Sequence, residues 1–334
     1  MGKWCIWALA VACLCGMAVG APAQKGVSLV KTEYKGWPSC YRMSNGQIEL
    51  VATADVGPRV IRLGFAGGQN VFGEFADQVG KTGGDQWRIY GGHRLWHAPE
   101  AKPRTYWPDN SPIQAQERGS TLTLSQPTEG STGIAKQMVV SMDVGRNRVV
   151  VLHRLRNDNL WAVELAPWAL SMMTTKGLAI IPQAPYAPHE QSLLPVRPLV
   201  QWSYTDMADP RWRWGKRYLT LRQDPAATGP QKLGIGNQEH WAAYAVEGTL
   251  FIKTFRYQPG ARYPDQGCSV EIFTNPEMLE LETMGPLVTL APGEAVEYRE
   301  EWFLFQGVPV TNDDASLDAL VLPRVQEALA AWGK

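Results

Sequence analysis

Apolar and polar residues alternate in short runs along most of this chain. Gln47-Ile48-Glu49-Leu50-Val51-Ala52 and Arg59-Val60-Ile61-Arg62-Leu63 have the two-residue period of half-buried strands, with a turn at Gly57-Pro58 between them. Asn45-Gly46 and Gly67-Gly68 mark further tight turns, and Thr121-Leu122-Thr123-Leu124 is another short strand. Residues 134–144 and 148–156 predict a hairpin closed by Gly145-Arg146-Asn147. In its second arm Val149, Val151, His153 and Leu155 share one face, and Val150, Leu152, Arg154 and Arg156 the other. Further strands are expected around 161–173, 178–182, 217–222, 241–246, 248–256, 268–274, 278–284 and 296–306. Helical spacing is convincing only at the end, where Pro323 suits a first turn and Val325, Ala328, Leu329 and Trp332 recur on one side. Many short strands and almost no helix predict an all-β sandwich or barrel, with this last helix packed on a sheet. There is no linker or break in composition, so residues 24–334 are expected to form a single domain.

The first residues break this pattern. Lys3 is followed by an apolar run from Trp4 to Val19 and then by Ala21-Pro22-Ala23, a small-x-small cleavage signal. Residues 1–23 read as a signal peptide, and the mature chain would begin at Gln24. The run is short for a membrane span and lacks a basic stop. Cys13 leaves a lipoprotein anchor as a looser alternative. The expected location is therefore periplasmic or secreted, with no membrane span in the mature chain.

Lysines plus arginines number 32 and aspartates plus glutamates also 32, a balance that argues against a nucleic-acid partner. Two cysteines follow the signal peptide, Cys40 and Cys268. They fit either a disulfide in an oxidising compartment or two buried thiols. The chain has no Gly-x-Ser-x-Gly elbow, phosphate-binding loop or dinucleotide fingerprint, so no nucleotide cofactor is expected. The 14 tryptophans suit both core packing and stacking on the apolar face of a sugar.

Three segments concentrate chemistry. Gly91-Gly92-His93-Arg94-Leu95-Trp96-His97-Ala98-Pro99-Glu100 offers donors, acceptors and a titratable base after two permissive glycines. His93 and His97 have zincin-like spacing, but Arg94 stands where the glutamate should be and Pro99 breaks a helix, so no metal is expected. In Met278-Leu279-Glu280-Leu281-Glu282-Thr283, strand geometry puts Glu280 and Glu282 on one face and Leu279 and Leu281 on the other. Paired carboxylates suit acid–base work or sugar binding, and the same alternation suits a solvated face. Trp202-Ser203-Tyr204-Thr205-Asp206 and Pro210-Arg211-Trp212-Arg213-Trp214 interleave aromatic and charged residues, either to stack on a sugar or to pin a loop.

Together with Ala54-Asp55-Val56-Gly57-Pro58-Arg59-Val60, Glu164-Leu165-Ala166-Pro167-Trp168 and Glu271-Ile272-Phe273-Thr274-Asn275-Pro276, these segments resemble the DUF4380 family. That group is similar to galactose mutarotase-like (aldose 1-epimerase-like) proteins. The resemblance spans roughly residues 30–307. It implies a β-supersandwich with a sugar held on a concave sheet face, a histidine acid, a late glutamate base, and a Gly-Gly segment with a nearby arginine on the sugar. Gly91-Gly92 and Arg94 match that segment, and Glu282 or Glu280 matches the late glutamate. Where an epimerase carries its histidine, this chain reads Leu165-Ala166-Pro167-Trp168. The resulting expectation is a carbohydrate-active protein, either an epimerase or another acid–base sugar enzyme. The alternative is a non-catalytic carbohydrate-binding or envelope protein. Glu282 is expected as base and His93 as acid. Arg94, His97, Glu100, Asp206 and Glu280 are expected on the ligand, and Trp96, Trp168, Trp212 and Trp214 as stacking walls.

Overall fold

Short alternating runs give each strand one apolar face, and two sheets of such strands bury those faces against each other. The computed structural model describes residues 1–2 and 26–333, so all but the first two residues of the signal-peptide segment lie outside the described residues. The first strands are β1 (Ser28–Tyr34), β2 (Trp37–Ser44), β3 (Ile48–Thr53), β4 (Arg59–Phe65), β5 (His93–Ala98), β6 (Gln114–Arg118) and β7 (Thr121–Ser125). Next come β8 (Ile134–Met142), β9 (Arg148–Asn157), β10 (Val163–Met173), β11 (Leu178–Pro182), β12 (Leu199–Gln201), β13 (Trp212–Trp214) and β14 (Tyr218–Arg222). The last are β15 (Gln231–Ile235), β16 (Trp241–Val246), β17 (Thr249–Thr254), β18 (Val270–Thr274), β19 (Leu279–Met284), β20 (Val288–Leu290) and β21 (Ala295–Phe305).

They form two antiparallel sheets. An 11-stranded sheet runs β1-β2-β3-β4-β5-β10-β19-β18-β15-β12, with β20 paired to β10. A 10-stranded sheet runs β13-β14-β11-β16-β17-β21-β9-β8-β7-β6. The main core lies between them and includes Leu95, Val149, Val151, Leu155, Ala169, Leu279, Leu281 and Trp302. The hairpin expected at Gly145-Arg146-Asn147 joins β8 and β9, and Val149, Val151, His153 and Leu155 of β9 all point inward. The C-terminal helix spans Leu322–Ala330, with Pro323 in its first turn. Its Val325 and Ala328 cover Ile180, Ala243, Leu250 and Ile252 on the outer side of the 10-stranded sheet.

The outer face of the 11-stranded sheet carries a smaller apolar cluster built on Trp96, Trp168, Leu170 and Met284. Every residue of β5 and β19 is consequently buried, on both faces of the sheet. Among the described residues no helix is long and apolar enough to cross a membrane. Cys40 and Cys268 are both buried free thiols in separate clusters, one with Trp37 and Tyr90, the other with Trp96 and Trp168, so the disulfide is not formed.

Candidate functional site

Antiparallel register decides which side chains meet on the outer face. β10 pairs with β5 on one side, placing Leu170 opposite Arg94 and Trp168 opposite Trp96. On its other side β10 pairs with β19, placing Leu170 opposite Glu282 and Met172 opposite Glu280. β18 then sets Glu271 against Glu282 and Phe273 against Glu280, and β15 sets Lys232 against Phe273. One sheet face therefore collects Arg94, Trp96, Trp168, Lys232, Glu271, Glu280 and Glu282. Above it lies a cavity of about 260 Å³. Glu100, Trp87, Tyr106 and Tyr204 reach it from loops, and Phe273 and Met278 close one side.

The charges are interlocked. Glu282 Oε2 accepts from Trp168 Nε1 at 2.8 Å and lies 3.4 Å from Lys232 Nζ. Lys232 also pairs with Glu271 at 2.7 Å and sits over the rings of Trp202 (4.7 Å) and Trp168 (5.1 Å). The Arg94 guanidinium lies 4.1 Å from the Trp96 ring and 4.7 Å from the Trp87 ring, and 3.7 Å from Glu280 Oε1. Glu100 accepts from the Tyr106 hydroxyl.

Burial dominates the electrostatics. It raises the Glu282 carboxyl to about 7 against the pull of Lys232, with the neighbouring Glu280 adding to the rise. It likewise raises Glu280 and pushes Glu271 well above the usual carboxylate range. Burial works against the Lys232 charge, but Glu282 and Glu271 outweigh it and hold the ammonium well above its ordinary value. Glu282 is thus a buried carboxyl able to give or take a proton near neutrality.

On the residues that line this cavity, three buried polar atoms have no hydrogen-bond partner: Glu282 Oε1, Arg94 Nη1 and Trp87 Nε1. Glu282 is fully buried and Arg94 is 3% exposed. An unmatched buried acceptor beside two unmatched donors is costly unless a ligand completes it, and a ligand hydroxyl both donates and accepts.

Six residues singled out from sequence meet here: Arg94, Trp96, Glu100, Trp168, Glu280 and Glu282. Two of them take a different part from the one expected. Trp168 is 1% exposed and Trp96 6%, and the π faces of both carry protein cations. They build the floor and hold Glu282 and Arg94, so neither is a stacking wall. Tyr204, 41% exposed, presents the accessible ring.

The other five lie elsewhere. His93 points the opposite way from Glu282, into the space between the sheets, because one residue along a strand reverses the face. His97 faces inward too and lies 3.6 Å from Glu129, which Lys136 holds at 2.5 Å. Trp212 is buried in the main core and donates to Gln231 Oε1 at 3.0 Å. Trp214 sits on the same strand and donates to the Met207 carbonyl at 3.3 Å, so these tryptophans pin their loop. Asp206 is exposed and accepts from the Ala208 amide in its own turn. Sequence reasoning passed over Lys232, Trp87 and Tyr106 and gave no site role to Glu271, Phe273 or Met278, though it quoted their segments; a lone Lys232 ahead of Leu233 and Ile235 gives no signal of its own.

Between the sheets, His93, His153 and Glu300 bring ligand-type atoms within 4.8 Å of one another. The ring nitrogens of both histidines are already engaged, and Glu300 already has three partners. His153 Nδ1 lies 3.0 Å from the Tyr298 carbonyl and must donate to it, which leaves Nε2 of the neutral ring as an acceptor. His93 Nε2, 2.7 Å away, donates to it, and His93 Nδ1 accepts from the Ser171 hydroxyl at 2.8 Å. Glu300 takes hydrogen bonds from Thr283 and Trp302 and an ammonium from Lys253 at 3.1 Å. The donor set fits a hydrogen-bonded network in which Lys253 supplies the cation.

Two packed antiparallel sheets, one bearing a polar pocket on its outer face, place the chain in the galactose mutarotase-like class of folds. Solved structures similar to it include a galactose mutarotase-like protein from Lactobacillus casei ATCC 334. That match has 10% identity and a TM-score of 0.54, covering 80% of this chain and 100% of the other. A galactose mutarotase related enzyme from Lactobacillus acidophilus has 9% identity and a TM-score of 0.52, covering 82% and 99%. The Slr1438 protein from Synechocystis sp. PCC 6803 has 10% identity and a TM-score of 0.55, covering 83% and 99%. Identities this low show a shared fold and carry no activity with them. No family model and no curated protein matches the chain.

Proposed function

We propose that this chain is an exported carbohydrate-active protein. It holds an uncharged sugar in the pocket over β5, β10, β19, β18 and β15, and Glu282 exchanges a proton with a ring or anomeric oxygen. The observation that carries this reading is the free Glu282 Oε1 beside the free Arg94 Nη1 and Trp87 Nε1 in one buried pocket. A sugar hydroxyl satisfies both kinds of atom. Both cations lining the pocket are already matched, Arg94 by Glu280 and Lys232 by Glu271 and Glu282. No free positive charge remains among the lining residues for a phosphate or carboxylate, which favours a neutral ligand.

The reaction class that fits is epimerisation or another acid–base step on a sugar. With His93 on the far side of the sheet, the second proton-bearing group comes from within the pocket, where Glu280 is also raised by burial. Export rests on the signal peptide of residues 1–23. The closer resemblance to the DUF4380 family belongs to this reading and rests on segments along the chain, among them Ala54 to Val60, Gly91 to Glu100, Glu164 to Trp168, Glu271 to Pro276 and Leu279 to Thr283. A second reading, carbohydrate binding without turnover, is favoured by Leu165-Ala166-Pro167-Trp168 standing where an epimerase histidine would be.

The deciding experiment is thermal unfolding of the mature chain against neutral, phosphorylated and uronic-acid sugars, with NMR analysis of each mixture. A ligand at a hundred times its Kd adds about 2.7 kcal/mol, a rise in Tm of about 5 °C for a chain this size. A shift with new resonances establishes an enzyme, and a shift without them a binding protein. No shift with any sugar overturns the carbohydrate reading.

A further inference from the structure

The polar network between the sheets reaches the reverse side of the strand that carries Glu282. Lys253, fully buried on β17, donates to the carbonyl of Leu281 at 3.2 Å. Glu300, fully buried on β21, accepts from the Thr283 hydroxyl. Leu281 and Thr283 are the two neighbours of Glu282, so the opposite sheet grips β19 on either side of it. Lys253 and Glu300 hold each other at 3.1 Å. Trp302 Nε1 fixes the second oxygen of Glu300 at 2.8 Å. The His93–His153 pair continues the network to Ser171 on β10 and to the Tyr298 carbonyl on β21.

A well-packed apolar centre would stabilise a sandwich at least as well as a buried ion pair, because two charges must be stripped of water. What a hydrogen-bonded pair adds is a fixed register between the elements it joins. We infer that Lys253 and Glu300 are positioning residues for Glu282, setting the height and orientation of its carboxyl in the pocket from the far side of the sheet. The inference rests on the proposed function only in taking Glu282 as the working group. Burial lowers the Lys253 ammonium below its ordinary value; Glu300, and after it Glu282, work the other way, so the two sides of the sheet are linked by charge as well as by contact.

The test follows the Glu282 carboxyl itself, by carbon-13 NMR of the mature chain with labelled glutamate, from acid to alkaline pH. The groups facing Glu282 are Lys232, Glu271, Glu280, Arg94 and Trp168 on the pocket side, with Lys253 beyond the sheet. Removing the cation in Lys253→Met is expected to raise the Glu282 midpoint by about half a unit or more, and Lys253→Arg to restore most of it. A folded Lys253→Met with the wild-type midpoint and resonance position overturns the inference. Should the lysine variant not fold, Thr283→Val removes one grip without stranding a charge. It displaces the Glu282 resonance if the network positions it, and an unmoved resonance again overturns the inference. Sugar titration of the wild-type chain separates the two claims. A response to no sugar, with the midpoint still moved by Lys253→Met, removes the carbohydrate reading and leaves the positioning role standing.

Discussion

His93 and Glu282 belong to the same sheet and point to opposite faces of it. His93 aligns with Ser171 and Leu281 in a row that faces the core, while Arg94, Leu170 and Glu282 form the next row and face the pocket. An acid–base pair made from His93 and Glu282 would have to act through a layer of backbone. The chemistry of the pocket therefore belongs to its own residues, and the histidine belongs to the frame behind them.

Glu282→Gln is expected to abolish turnover, or to weaken sugar binding if the chain only binds, while raising stability. The sign follows from linkage. Folding lifts the Glu282 carboxyl to about 7, so between the unfolded value and that point the folded chain holds the extra proton. Stability from this group falls as pH rises through that window, and the penalty is complete above it. Glutamine removes the penalty, worth roughly 1–3 kcal/mol at pH 8. Chemical denaturation of both proteins at pH 8 measures it, and a destabilised variant would contradict a Glu282 carboxyl raised by burial.

Trp168→Phe keeps most of the ring and deletes the N–H that Glu282 Oε2 accepts at 2.8 Å. A hydrogen bond to a charged group contributes about 1.5–3 kcal/mol. The Glu282 midpoint should move above 7, and any pH–rate profile should shift the same way. A profile that stays in place would mean that the indole only packs.

Much of the sandwich was legible because strand alternation is a local property. Trp241–Val246 and Leu178–Pro182 appear where the apolar runs put them, and Glu280 and Glu282 share a face as the two-residue period requires. β5 was not legible as a strand, since His93, Arg94 and His97 break the apolar–polar alternation although all three are buried. β2 was hidden by Pro38 and by the polar residues of Ser39 to Ser44. The site was half legible: its residues on β5, β10 and β19 stood out by type. Lys232 and Glu271 enter only through the pairing of β15 with β18 and of β18 with β19, a long-range register that no local pattern encodes.

The His93–His153 pair predicts an acid-sensitive frame. Burial depresses both rings below their ordinary value, with Lys253 adding to the effect on each. The unfolded chain therefore takes up protons as pH falls through about 6.5 while the folded chain does not. Stability from this pair is present above that point and is lost as pH falls below it. Glu282 contributes the opposite slope, so the pair is isolated by difference. Tm should drop more between pH 7.5 and pH 5 for the wild type than for a His93→Gln, His153→Gln double variant. Equal drops would show that the two rings titrate freely in the folded chain.

Packing alone requires glycine at positions 91 and 92. Gly91 has φ +109°, and a Cβ there would lie 2.1 Å from the Gly73 carbonyl oxygen. Gly92 has φ +73°, and its Cβ would lie 2.3 Å from the Val60 oxygen. The Gly91 carbonyl also accepts from the buried Arg59 guanidinium at 2.6 Å. These contacts seat the start of β5, and with it the direction of Arg94 and Trp96. Gly91→Ala combines an unfavourable backbone region with a backbone overlap that cannot relax by side-chain motion, a cost on the order of 3 kcal/mol. Chemical denaturation should show that loss. If the segment served sugar contact alone, Gly91→Ala would lower affinity and leave the denaturation midpoint unchanged.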